Sequence, residues 1–227
     1  MSIKLAREVI KSSKFINRGS TRIIVENDLI VPDTKPDIGR ILFADGDAFV
    51  TNAEVDDEKI LIEGISRYNI LYTEDSQEQD IEALNVNADF SHTMDVPGAS
   101  KEMEARVKLD VEHIDCRFIN GRKVNIKTIL GIRSYITKEN EYYFVNGIEE
   151  GDDIQILKRS IVVNRFIGSS KEVCAIKDSI EIPSGNPSIK EILKNDIRIA
   201  NTECKVTENK IIVKGQANIR TIYAGDD

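Results

Sequence analysis

The sequence predicts a mainly β protein: antiparallel sandwich or barrel-like modules in tandem, each with a short helical turn after a proline-rich segment. Three observations predict it. Apolar and polar residues alternate over long stretches, turn residues separate the stretches, and the C-terminal third repeats the N-terminal third. Hydrophobic residues make up 41% of the 227 positions, which is enough for a packed core.

The proline-rich segment comes first: Val31-Pro32-Asp33-Thr34-Lys35-Pro36-Asp37-Ile38-Gly39-Arg40-Ile41-Leu42. Its prolines lack backbone donors and end any strand that enters. Asp37 stands in an N-cap slot, and Ile38, Ile41 and Leu42 follow at i, i+3, i+4, the spacing of one apolar helical stripe. A hairpin over about 47–73 follows. Ala48, Val50 and Val55 mark one strand, and Ile60, Ile62, Tyr68, Ile70 and Tyr72 the other, around the turn Asp56-Asp57-Glu58-Lys59.

A second hairpin is predicted over about 104–136. From Ala105 to Glu112 the odd positions are apolar and the even ones charged, as in a strand with one wet face. After His113 the apolar parity moves to Ile114, Cys116 and Phe118, which predicts a bulge near Glu112-His113. Asn120-Gly121 supplies the turn, and Val124, Ile126, Thr128, Leu130 and Ile132 resume the alternation. The acidic run Glu149-Glu150-Gly151-Asp152-Asp153 reads as a solvated linker.

A shift of 151 positions lays the C-terminal third on the N-terminal third without a gap. Pro32 falls on Pro183, Pro36 on Pro187, Ile38 on Ile189, Ile41-Leu42 on Ile192-Leu193, Gly64 on Gly215 and Tyr72 on Tyr223. Ser188-Ile189-Lys190-Glu191 matches the capping-box pattern, and Thr207-Glu208-Asn209-Lys210 is the equivalent turn. The organisation expected is a first β module over 1–151 and the N-terminal half of a second over 152–227. Nothing in the second copy answers to 76–151. Either the chain is a piece of a longer repeat protein or the folding unit is phased differently from the repeat. Both leave β-edges open to a partner, and a natural end at 227 would favour head-to-tail assembly into filaments.

The charge balance narrows the partners. With 31 basic and 39 acidic residues the net charge is −8, which disfavours nucleic acid and anionic membranes. No apolar run approaches the ~18 residues of a membrane helix, and the N-terminus lacks a secretory h-region. Synthesis in the cytosol is expected.

Candidate reactive groups are few. Asp28, Asp33, Asp37, Asp45 and Asp47 cluster in sequence, but their spacing fits no EF-hand, and Ser184 and Ser188 replace two of them in the second copy. Caps and turns are the reading. His92 and His113 share no ligand spacing and are taken as structural. Cys116 lies on an apolar parity, and Cys174 and Cys204 replace Ile23 and Ala53, so buried thiols are expected. A Cys174–Cys204 disulfide would require neighbouring strands in an oxidising compartment. No nucleotide-binding, hydrolase or zinc-protease motif is present. No catalytic, cofactor or metal residue is nominated.

Three stretches together resemble a known family. Ile30 to Leu42 is similar to the VPDxKPDIxxIL signature of the SPOCS repeat of clostridial spore-envelope proteins. His92-Thr93-Met94-Asp95-Val96-Pro97-Gly98-Ala99 resembles its HTIEVPGA segment. Val111-Glu112-His113 with Arg122-Lys123 and Lys127 resembles its VEH and RKxxxK hairpin. The resemblance implies a non-enzymatic scaffold without cofactor that helps build the spore coat or exosporium. It would act through contacts with other coat proteins or itself, in the mother-cell cytosol and then the spore surface layers. SipL-like members add a LysM module for partner binding; residues 1–227 hold no such stretch, so that role is not carried over. The alternative is a binding module for an envelope glycan or small ligand, with Tyr68, Tyr72, Tyr142 and Tyr143 as stacking residues.

Overall fold

The computed structural model describes residues 4–150, 157, 159, 162 and 172–226. The described elements are all strands: β1 (Lys4–Ile30), β2 (Ile38–Asp56), β3 (Lys59–Glu74), β4 (Ile81–Asp95), β5 (Glu104–Asn120), β6 (Lys123–Glu150), β7 (Ile189–Val206) and β8 (Ile211–Gly225). They form antiparallel sheets in the orders β1-β6-β5, β2-β3-β4 and β7-β8. The first two sheets face each other and approach along their β2 and β5 edges without closing into a barrel.

Burial follows the alternation. β3 and β6 are the central strands of the facing sheets, so both lose one whole face to the interior. On β6, Val124, Ile126, Thr128, Leu130, Ile132, Ser134 and Ile136 are all fully buried. On β3, Ile60, Ile62, Ser66, Tyr68, Ile70 and Tyr72 meet them. The Tyr68 hydroxyl and Thr128 Oγ1 lie 2.8 Å apart, closing a polar contact between the sheets. At Gly64 the backbone runs so close that a Cβ would stand 2.6 Å from the Phe49 carbonyl oxygen and 2.3 Å from Phe90. That explains a glycine mid-strand.

β1 and β6 outrun the sandwich. A bulge between Phe15 and Asn17 marks where β1 leaves it, and its first residues zip to 137–150 as a two-stranded ribbon. The two hairpins lie where the sequence puts them, and the shift between Val111 and His113 is the expected bulge.

The proline segment corrects the sequence reading. Residues 38–42 are strand, not a helical turn, so neither Asp37 nor Ser188 caps a helix. The cause is a pair of bulges, between Ile38 and Arg40 and between Ile41 and Phe43. Each adds one residue to the strand, so Ile38, Ile41 and Ala44 all turn inward at a spacing of three. A doubly bulged strand thus mimics a helical stripe, and Leu42, expected on that stripe, is exposed.

The acidic run is also corrected. Glu149 and Glu150 belong to β6, with Glu149 paired to Lys4 at 2.8 Å; 151–153 lie outside the described residues.

The β7–β8 hairpin copies β2–β3 pair for pair at the 151-residue offset. Ile189↔Gly225, Ile192↔Tyr223 and Val206↔Ile211 repeat Ile38↔Glu74, Ile41↔Tyr72 and Val55↔Ile60, with bulges at the same places. The tyrosine hydroxyls repeat as well: Tyr72 donates to the Pro36 carbonyl at 3.1 Å and Tyr223 to that of Pro187 at 3.2 Å. No second sandwich stands behind it among the described residues. Residues 172–182 are unpaired, whereas their equivalents in β1 pair with β6.

Candidate functional site

Two of the three sequence motifs, the proline segment and the β5–β6 turn, meet at one end of the sandwich, whereas residues 96–99 close the β2–β3 turn at the other end, with Val96 N–H donating to the Glu58 carbonyl at 2.7 Å. Prolines 32 and 36 hold residues 31–37 as a turn, closed by Lys35 N–H to the Pro32 carbonyl at 2.9 Å. The β5–β6 turn lies against it. Val31 N–H donates to the Arg122 carbonyl at 2.9 Å, and Ile38 N–H to that of Gly121 at 2.8 Å. Arg122 then reaches back over the proline turn. Its Nη1 donates to the Lys35 carbonyl at 2.8 Å and to Asp37 at 3.1 Å, and its Nη2 to Asp33 at 2.9 Å. A planar guanidinium fork suits three acceptors spread along one turn.

The clamp leaves the Lys35 side chain reaching Glu82, at the start of β4 and opposite Tyr72. Its ammonium sits between Glu82 and Glu191, 2.6 Å from each. Partial burial works to lower its pKa, and the hydrogen bonds it donates to Glu191 and Glu82 outweigh it, so the pKa is raised above the ordinary lysine value. Glu191 belongs to β7, so this ion triad ties the second hairpin to the first unit.

Around it lie further ties. Lys190 pairs with Asp80 at 3.2 Å, and Asn69 Nδ2 donates to the Leu193 carbonyl at 2.9 Å. Lys194 pairs with Asp45 and stands 4.6 Å from the Phe43 ring centroid, within cation–π range. Asp45 is partly desolvated, which works to raise its pKa, yet the Lys194 and Gly46 hydrogen bonds hold it below the ordinary aspartate value. Leu193 is 5% exposed, the one residue of β7–β8 among the buried hydrophobics. A groove of about 410 Å³ remains between β7 and the sheet, lined by polar groups including Arg67, Asn85 and Asn195.

The clustered aspartates therefore part company. Asp28 bonds Asn125 and Lys123, Asp33 and Asp37 bond Arg122, and Asp45 bonds Lys194. Each of these four is spent on an ion pair, in place of the helix cap expected at Asp37, while Asp47 lies on β2 opposite Arg67. Among the described residues, Glu74, Glu78 and Asp80 bring three carboxylates near one another, at an exposed loop where Asp80 already pairs with Lys190.

His92 is half-buried on β4, opposite Ile62, and His113 is exposed at the β5 bulge, so they do not meet. Cys116 is half-buried, and burial, with a smaller contribution from Asp115, pushes its thiol up to about 11. Cys174 and Cys204, expected buried, are free and exposed, because no facing sheet covers their strands among the described residues. Tyr68 and Tyr72 are core residues, unavailable for stacking on a ligand. Tyr142 and Tyr143 stand exposed on the β1–β6 ribbon.

The sequence reading missed the residues that join the elements: Lys35, Glu82, Arg122 and Lys194. A signal was present, since the acids of VPDxKPD and the basic pair Arg122-Lys123 are complementary.

These features define a class: an antiparallel β module whose motif residues tie turn to turn and hairpin to sheet. A family model described as SipL, SPOCS domain, matches residues 37–119 and 188–227, over half of the chain. The chain belongs to that family and is a sporulation-related protein. The two matched segments begin 151 residues apart, at the clamp aspartate Asp37 and its equivalent Ser188. Neither the curated proteins nor the solved structures include a match to it.

Proposed function

We propose that the chain is a non-enzymatic scaffold of the spore envelope, active in coat or exosporium assembly through protein–protein contacts of its β modules. In this reading residues 1–151 form one module and 152–227 begin a second. The chain works in the mother-cell cytosol and then in the surface layers of the spore. Its partners are other envelope proteins or further copies of itself. The observation that supports this best is that the motif residues are used as ties. Arg122, Asp33 and Asp37 lock one turn, and Lys35 bridges Glu82 of one unit to Glu191 of the next. Such charged, geometrically fixed joints suit a part that must hold a shape. The acidic balance steers it towards protein partners and away from nucleic acid.

The test is genetic and microscopic. A fluorescent fusion should gather at the forespore surface during sporulation, and deletion should leave spores with a detached or incomplete outer layer. A fusion that stays dispersed while deletion spores keep a normal envelope would overturn the proposal.

A further inference from the structure

The seat of the β7–β8 hairpin on the first unit divides into contacts that either hairpin could make and contacts that only this one can. The two hairpins share their register pair for pair, with bulges at the same places. Gly39, Arg40, Leu42 and Phe43 of β2 therefore stand where β7 has Lys190, Glu191, Leu193 and Lys194. The leucine is common to both. So is the group that Asn69 Nδ2 binds at 2.9 Å, since it is the backbone carbonyl of Leu193. The charges are not common. Lys190 meets Asp80 at 3.2 Å, Glu191 meets Lys35 at 2.6 Å, and Lys194 meets Asp45. An edge with the residues of β2 would lose the first and third of these pairs. In place of the second it would set a guanidinium, that of Arg40, against the Lys35 ammonium.

We infer that this seat is selective by charge: it accepts the edge of β7 and rejects the edge of β2, so that hairpins of this kind stack on the first unit in one order only. Specificity is a difference of affinities, and a repulsive contact for the wrong partner adds to it as an attractive one for the right partner does. The selection rests mainly on Lys35 and Lys194. Their side chains are 27% and 18% exposed, against 60% for Lys190, so water and salt screen their pairs least. The seat is not repeated on the second hairpin, where Asn186 and Arg220 replace Lys35 and Asn69. A lysine-bearing edge arriving there would meet a cation. The inference deepens the scaffold reading and rests on it, naming the residues that set the order of the units.

The test uses the 227-residue chain and the acetylation rate of single lysines, read by mass spectrometry, with a thermal melt of each variant as the control for folding. Lys190→Gly, Glu191→Arg and Lys194→Phe together, with Leu193 kept, give β7 the edge of β2. This variant should raise the Lys35 rate about tenfold as the hairpin leaves its seat, the effect of three weak pairs lost at once. Glu191→Arg alone should raise the Lys194 rate about fivefold. Adding Lys35→Glu should return that rate to its starting value, because the triad with Glu82 again holds two acids and one base. A Lys35 rate unchanged in the triple variant overturns the selection, since the leucine and the backbone bond would then suffice. A double variant as reactive as Glu191→Arg overturns it too, because the loss would then come from packing and not from charge. So does an unaltered chain whose Lys35 and Lys194 react as fast as the exposed Lys101. None of these outcomes touches the forespore localisation that decides the scaffold reading.

Discussion

Arg122 is the residue on which the two signature motifs meet, and its energetics can be ranked. Asp33 is fully exposed and Asp37 more than half so, and exposed ion pairs contribute little. The bond to the Lys35 carbonyl, partly buried, carries more. Arg122→Ala should therefore cost about 1 kcal/mol, seen as a lower urea midpoint at unchanged slope. Arg122→Lys should recover little of it, because an ammonium cannot serve three acceptors in one plane. Ser66 makes the opposite case. It is 1% exposed, and its hydroxyl has no partner, while the equivalent position of the second hairpin is Ala217. Ser66→Ala should raise stability by about 1 kcal/mol in thermal or urea unfolding, by removing a buried, unpaired polar group. A destabilised variant would show that the hydroxyl is satisfied.

At the scale of elements, alternation was legible wherever one face met a core. The 47–73 and 104–136 hairpins, their turns and the bulge at Val111–His113 follow from parity alone. The segment 38–42 did not, because two bulges three residues apart give Ile38 and Ile41 the spacing of a helix. The ribbon of β1 with β6 was equally hidden, since neither of its faces is buried and no single parity marks it. The joint between the first unit and β7–β8 arises from side chains far apart in sequence. It should respond to pH at both ends. Asp45 has a depressed pKa, so its contribution is complete above the ordinary aspartate value of 3.8 and fades as pH falls below it. Lys35 has a raised pKa, so its contribution is complete below 10.5 and fades as pH rises through the higher folded value. The Leu193 methyl resonances should thus be invariant between those limits and shift towards exposed values beyond either one. Undisturbed methyls at acid pH with the sandwich still folded would remove Asp45 from the joint.

For the molecule as a whole, the distribution of the core decides which part stands alone. Both buried clusters draw only on the first unit, one on Leu29, Val31, Ile38, Tyr68, Ile70, Tyr72, Leu84, Val124 and Ile126, the other on residues from Val55 to Ile136. Among the described residues Leu193 is the single buried hydrophobic outside the first unit, and it touches the outer face of a sheet whose inner face is already filled. A chain of residues 1–150 should therefore fold cooperatively. Its melting temperature should lie within a few degrees of the 227-residue chain, because surface ion pairs and one leucine amount to only about 2 kcal/mol. The β7–β8 hairpin alone should not fold, since an isolated two-stranded ribbon has too little surface to bury. Circular dichroism melts of the two pieces check both statements. A 1–150 piece without a cooperative transition would mean that the two hairpins belong to one folding unit, and the proposed boundary at 151 would fall.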